Sequence, residues 1–335
     1  MAVTIKDIAK YTGFSISTVS IALSGKTDGV HIGDEAIKQI KEAQIALGYR
    51  PNMLARGLRK NYTNTIGFVL SDVSNPFFVK IASIIEQEAA NLGYHVFFAG
   101  SDEDDIKCQL AIETFINYKV DGLIIAATSG TKNVIQQLVR QKIPFVLVDR
   151  YFKRLNINSV VMDNYGAAYR AVQYLISKSR KRIATFSYET ELLHMHDRFN
   201  GYKAALKDNK IPFDKRLVPS IPFMKANEDQ VKSHVKELLE KTNVDAFFFQ
   251  TNRSALPALE FLLLNDYKIP EEISVISFQD NDFFKLVRPA ITALKQPVEQ
   301  LGQECVRILI NHIKGNKHVE KILIPEICIE ERESV

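Results

Sequence analysis

Three cysteines stand in 335 residues, Cys108, Cys305 and Cys328. They are odd in number and far apart, with no CxxC and no Cys/His cluster. That pattern excludes a disulfide framework and a zinc site, and leaves free thiols in a reducing compartment. No apolar run reaches the roughly 18 residues of a membrane-spanning helix. The opening MAVTIKDIAK has no apolar stretch behind a basic one, so no secretory leader is expected and a cytoplasmic chain is. Also missing are GxSxG, a phosphate-binding Walker loop, HExxH and GxGxxG. With no nucleophile–base set, the sequence reads as a non-enzyme without cofactor or metal. The pair His194 and His196 has no further ligand at metal spacing and reads as a surface feature.

What is present is an ordinary globular balance, 46% hydrophobic and 24% charged, in a length suited to two or three domains. The net charge of +4 is unevenly placed. Residues 1–60 hold nine Lys and Arg against five Asp and Glu, and the remainder holds 34 of each. The whole excess therefore sits in the first sixty residues, as an electrostatic footprint for a polyanion would. Chance asymmetry on a solvated face would give the same count.

Those sixty residues read as three short helices. Thr4 and Asp7 stand at capping-box spacing, with Asp for the usual Glu or Gln. Ile5, Ile8 and Ala9 form one apolar face, and Gly13 interrupts it. Ser15 can cap a second helix running to about Leu23, with Val19, Ala22 and Leu23 on its inner side and Ser17, Ile21 and Ser24 on the outer. Residues 34–47 form a third helix, packing through Ile37, Ile40 and Ile45 and ending at Gly48. Helix, glycine turn and second helix is the sequence form of a helix-turn-helix, whose second helix enters the major groove. Short hydroxyl side chains let that helix approach DNA closely and bond phosphates or base edges. Serines are also common on exposed helix faces, so the pattern alone does not decide. From Pro51 to Lys60 a marginal helix follows, two turns long and weakened by Gly57. Its Leu54 and Leu58 lie on one face, as wedges for a minor groove or as packing of a plain linker.

The stretches VTIKDIAKYTGFSISTVSIALSGK, LGYRPNMLARGLRK and TIGFVLSDVSNPFF resemble, in order and spacing, the amino terminus of the LacI/GalR family of bacterial transcription regulators. VDGLIIAA, IPFVLVDR, DRFNGYKAAL, IPEEISVISF and RPAITALKQPVEQLG carry the resemblance to the end of the chain. It implies DNA contacts from Thr4, Ser15, Ile16, Ser17, Thr18, Ser20, Ile21, Ser24 and Tyr49, and from Asn52, Ala55, Arg56 and Leu58 in a hinge helix at about 51–60. Ile16 and Ser17 occupy the family's variable base-reading positions. Ile21 stands where the family carries arginine and offers only apolar contact, for instance to a thymine methyl.

From residue 65, apolar strand runs alternate with helical stretches in two successive sets. The pattern gives an α/β fold of two parallel-sheet lobes behind the three-helix unit. The resemblance implies periplasmic-binding-protein-like lobes crossed three times by the chain. Lobe one is expected over about 65–161 and 295–317, and lobe two over about 162–291 and 320–332. Ligands in such folds bind beyond the carboxyl ends of strands, so the cleft between lobes is the natural pocket.

Planar charged and amide groups grip polyols by paired hydrogen bonds, with apolar walls against the ring faces. Asn75, Phe77, Asp149, Arg198, Asn252 and Gln279 sit at such positions; Phe78 and Asp280 are their neighbours. Each is equally a capping or loop residue when taken alone. The resemblance supports Asp149, Arg198 and Asn252 as effector contacts with Phe77 lining the pocket. It also marks two departures: Gln279 where the family has Asp, and Arg253 after Asn252 where the family has Asp. Both remove negative charge beside the cleft and suggest an acidic or phosphorylated sugar. The expected protein is a sugar-responsive transcription repressor acting as a homodimer on double-stranded, near-palindromic DNA. The rival is a transport-type sugar-binding module without a DNA role.

Overall fold

The computed structural model describes residues 3–24, 32–49, 62–223, 227–325 and 327–335. It divides into two compact units, Met1–Thr63 and Asn64–Val335. The hinge helix expected at 51–60, with Asn52, Ala55, Arg56 and Leu58, lies outside the described residues, as does the side chain of Ser24.

In the first unit, α1 (Ile5–Thr12), α2 (Ile16–Ser24) and α3 (Asp34–Ala46) surround a core of Ile8, Val19, Ala22, Ile40 and Ala43. The Asp7 carboxylate accepts from the amide and hydroxyl of Thr4, both at 2.7 Å, and closes the first cap. Gly13 stops α1 at φ 75°, a left-handed conformation that glycine adopts without steric cost. Ser15 Oγ accepts from the Thr18 amide at 3.0 Å and starts α2. Two packing expectations change here. Ile45 is 81% exposed and Ala43 takes its place, because position 45 lies about 140° around the helix from Ile40 at 100° per residue. Ile21 is half-buried against this core instead of standing free on the outer face. Three short helices leave a shallow core, and a long aliphatic side chain gains by covering its rim.

The second unit holds two sheets. The first has strand order β12-β5-β4-β3-β1-β2 and is parallel throughout: β1 (Thr65–Leu70), β2 (His95–Gly100), β3 (Gly122–Ile125), β4 (Phe145–Val148), β5 (Ser159–Met162) and β12 (Lys321–Ile324). Helices α4 (Pro76–Asn91), α5 (Asp105–Asn117), α6 (Lys132–Gln141) and α11 (Val298–Ile313) accompany these strands. The β3 and β4 runs GLII and FVLV are buried end to end, as a sheet covered on both faces requires. The second sheet has order β13-β11-β10-β9-β6, from β6 (Ile183–Thr185), β9 (Ala246–Phe249), β10 (Ser274–Ser277), β11 (Thr292–Lys295) and an antiparallel β13 (Cys328–Glu330). Its helices are α7 (Asn164–Ser177), α8 (Leu193–Asp208), α9 (Glu228–Thr242) and α10 (Asn252–Leu264); β7 (Ser187–Glu189) and β8 (Ser220–Pro222) pair separately.

The last crossing falls later than the sequence suggested. KILI, expected in lobe two, pairs with β5 in the first sheet, and only the segment after Pro325 reaches β11. Two short strands with three residues between them, the first Pro325, read as a single run in sequence, because alternation does not say which sheet receives a strand. α8 also starts at Leu193, four residues before the expected 197, which places His194 and Met195 on its first turn.

Helices α7 and α8 cross closely at Gly201, where an added Cβ would stand 2.3 Å from the Tyr165 carbonyl oxygen. Gly201→Ala is expected to cost about 1–3 kcal/mol of overpacking and to lower the melting temperature by a few degrees. An unchanged melt would mean that the two helices separate freely.

Candidate functional site

A cavity of about 360 Å³ lies just past the carboxyl ends of β1, β4, β9 and β10. All six effector candidates, Asn75, Phe77, Asp149, Arg198, Asn252 and Gln279, line it. So do Phe78, Asp72, Glu103 and Arg150 from lobe one, and His194, Phe223 and Arg253 from lobe two.

Lobe one supplies a buried charge network. Arg150, 5% exposed, directs Nη1 to Glu103 Oε2 at 2.6 Å and to the Ala127 carbonyl at 3.1 Å, and Nη2 to Ser71 Oγ at 3.1 Å and to Glu103 Oε1. Asp149, directly before it, adopts φ 66°, a strained left-handed conformation for a side-chain-bearing residue. Its Oδ2 is 3.7 Å from Arg150 Nε, and its Oδ1 is buried without a partner. Burial pushes the Asp149 carboxyl above the usual range against the pull of Arg150 and Arg198. Asn75 caps α4, its Oδ1 accepting from the Phe77 amide at 3.1 Å, and so sets Phe77 and Phe78 edge-to-face, 5.0 Å apart, as an apolar wall.

Lobe two supplies Arg198 from α8. Its Nε donates to Asn164 Oδ1 at 2.8 Å and its Nη1 to the Gln250 carbonyl at 2.7 Å, and the guanidinium lies 3.8 Å from the Phe278 ring centroid. Burial lowers its pKa to about 10, with Asp149 opposing. Gln279 Oε1 accepts from the Asn252 amide at 2.9 Å, so this amide supports the start of α10, while Asn252 Oδ1 is left without a partner. Behind it, Tyr188 Oη meets Thr251 Oγ1 and Ser254 Oγ, both at 2.7 Å. Unpartnered buried oxygens beside a fixed guanidinium and aromatic walls suit a ligand that both donates and accepts.

Three readings need correction. His194 is 5% exposed and lines the cavity, where the sequence suggested a surface residue; only His196 is exposed. Burial, with Arg150 and Arg198 nearby, holds its pKa well below the histidine range. Asp280 faces away from the cavity and forms a two-pronged pair with Arg332 at 2.8 and 2.9 Å. Arg253 is no open cation, since its Nη2 donates to Asp72 Oδ2 at 2.6 Å across the cleft. Sequence reasoning missed Arg150 altogether; an arginine directly after an apolar strand run was the available signal. On the DNA-binding candidate unit, Thr4, Ser15, Ile16 and Ser17 are exposed, and Thr18, Ser20, Ile21 and Tyr49 are half-buried. Part of the Ser15 hydroxyl's bonding is taken up by the helix cap.

A family model described as periplasmic binding proteins and sugar binding domain of LacI family matches residues 63–332. The chain belongs to the LacI family. Among its LacI-family relatives, the HTH-type transcriptional regulator RegA of Clostridium acetobutylicum is 33% identical over 317 residues, covering 93% of each chain. The regulator KdgR of Bacillus subtilis is 28% identical over 337 residues, covering 99% of this chain and 97% of its own. Among solved LacI-type structures, a transcriptional regulator CelR–cellobiose complex has 25% identity and a TM-score of 0.72, covering 99% of this chain and 100% of that one. A lac repressor dimer bound to operator and the anti-inducer ONPF shares the fold at a TM-score of 0.87 and 21% identity, covering 100% and 99%. Among the described residues, no helix is long and apolar enough to cross a membrane.

Two outcomes follow from the buried charges. Glu103→Gln strands the Arg150 cation and should lower unfolding stability by about 3–5 kcal/mol in denaturant titration, with Arg150→Met added to it restoring part of the loss. Recovery of nothing would mean that the network is not what stabilises this sheet end. His194 is neutral when folded, whereas in the unfolded chain it titrates near about 6.5. Below that pH the unfolded state takes up the proton and the folded state does not, so stability is full above it and falls as pH drops. Melting temperatures measured from about pH 7.5 to 5.5 should therefore fall less in His194→Gln than in the parent, and equal falls would assign the titration elsewhere.

Proposed function

We propose that this chain is a ligand-responsive DNA-binding transcriptional regulator, a repressor of a carbohydrate-utilisation operon, and that it carries out no catalysis. The observation that carries the reading is the convergence on one cavity of five residues at strand ends and helix starts with Arg198 from the second turn of α8, in a chain whose first sixty residues hold the entire positive excess. Arg198, Asp149, Asn252 and Gln279 are the polar grips, and Phe77 and Phe78 the apolar wall. Polyols are held by this combination of paired hydrogen bonds and flat hydrophobic contact. The solved CelR–cellobiose complex and the lac repressor dimer on its operator support the sugar, DNA and dimer parts of the reading.

DNA is read by α2, with Ser15, Ile16 and Ser17 toward the groove. Thr4, Thr18, Ser20, Ile21 and Tyr49 complete the expected contact set, together with Ser24 and the hinge residues. Two copies place two recognition helices about one helical turn apart on a near-palindromic site. The edge strand β2 and the adjacent α5 offer apolar surface for the second copy: Phe97 and Phe98, on opposite sides of the strand, are each 45% exposed, and Ile106 and Leu110 on α5 are 71% and 55% exposed. The effector acts through its different affinities for the DNA-competent and DNA-incompetent arrangements.

Removal of residues 1–60 should abolish operator binding in an anisotropy titration and leave sugar-induced thermal stabilisation intact. Arg198→Ala should do the reverse, losing the stabilisation while the sugar-free protein still binds operator. A truncated chain that binds operator as well as the full chain would overturn the assignment.

A further inference from the structure

A second cavity, of about 280 Å³, shares two wall residues with the first, Arg150 and His194. Both are at most 5% exposed. Arg150 Nε and His194 Nδ1 are buried and have no hydrogen-bond partner. The two cavities differ in charge. The first is balanced: Asp72 pairs with Arg253, Glu103 with Arg150, and Asp149 lies between Arg150 and Arg198. The second is lined by Lys132, Lys153 and Arg154, with Glu191 as its one lining carboxylate. None of the three cations enters an ion pair among the described residues. Asp197 lies within electrostatic reach of Lys153 but does not line the cavity.

From this contrast, and resting on the sugar-effector reading above, we infer that the effector is a sugar phosphate whose ring occupies the first cavity and whose phosphoryl group occupies the second, held by Lys132, Lys153 and Arg154. A neutral, two-sided cavity fits the hydroxyls of a ring. Three cations against one carboxylate fit a phosphate monoester, with about −1.5 to −2 charges near neutral pH, better than a carboxylate with one. Lysine and arginine are the side chains that bind phosphate by point charge and by paired hydrogen bonds. His194 and Arg150 line both cavities, and the unpartnered Nδ1 of His194 is available to a ligand that reaches from one to the other. The anionic end is thereby moved away from Arg253, which Asp72 already neutralises.

The test is calorimetry on the full chain with matched sets of a hexose, its 6-phosphate and its uronic acid, repeated on Lys132→Ala/Lys153→Ala/Arg154→Ala. These side chains are exposed, so the variant should fold and bind operator as the parent does. One phosphate should bind about tenfold or more tightly than its neutral hexose, equivalent to about 1.4 kcal/mol, with the uronic acid between them. In the variant that advantage should vanish while the hexose affinity stays within about twofold. A hexose bound as well as its phosphate, or an advantage that survives in the variant, would overturn the inference and leave the sugar reading intact. If no member of any set binds, the sugar reading fails and this inference with it.

Discussion

The buried guanidinium of Arg150 holds together the end of the first sheet on which the site stands. It leaves β4 and bonds Ser71 beyond β1, Glu103 beyond β2 and the carbonyl of Ala127 beyond β3. Four strand ends that would diverge as loops are tied to one planar group. Burying this charge is costly, and the two-pronged carboxylate with two further acceptors offsets that cost. One geometric result is the left-handed backbone at Asp149, which precedes Arg150 and lines the same cavity. The strain there, of the order of 1–3 kcal/mol, persists because its surroundings over-determine it.

Lobe two solves the same problem from a helix. Arg198 is fixed by Asn164 at the start of α7, by the Gln250 carbonyl beyond β9 and by the Phe278 ring beyond β10. Each lobe therefore brings one immobilised arginine to the cavity, bonded from behind. Rigid donors of this kind lose little entropy when a ligand arrives, which is where binding strength in a polar site comes from. Unpartnered atoms on Asp149, Asn252 and His194 complete the set from both lobes.

Much of this was legible in the sequence, for identifiable reasons. Fully buried parallel strands must be apolar throughout, so GLII, FVLV and AFFF announce themselves, and the residues after them fall at the ligand end by the topology of such sheets. That rule alone found Asp149, Asn252 and Gln279. It could not separate Gln279 from Asp280, neighbours whose partners are a helix start and Arg332, because side-chain direction depends on chain 52 residues away. Nor could it find His194, whose burial depends on where α8 begins. The Asp72–Arg253 bond joins positions 181 residues apart and leaves no local trace. Reading Arg253 as lost negative charge was sound as chemistry and incomplete as electrostatics, since the compensating carboxylate lay in the other lobe.

That bond gives the departure at position 253 a physical role. Asp72 belongs to lobe one and Arg253 to lobe two, so the pair forms only when the lobes stand as they do here. Arg253 is 42% exposed at its side chain and Asp72 is 12% exposed. With its cation this exposed and its carboxylate buried, the pair is worth on the order of 1 kcal/mol, a bias of roughly fivefold. A bias of that size favours one arrangement of the lobes without locking it. A ligand with different affinities for the two arrangements adds to that bias or opposes it. A carboxylate at 253 would repel Asp72 and push the same equilibrium the other way. Arg198 and Asp149 take no part in this pair, so a change at position 253 acts on the contact between the lobes and leaves the bonds of those two side chains as they are.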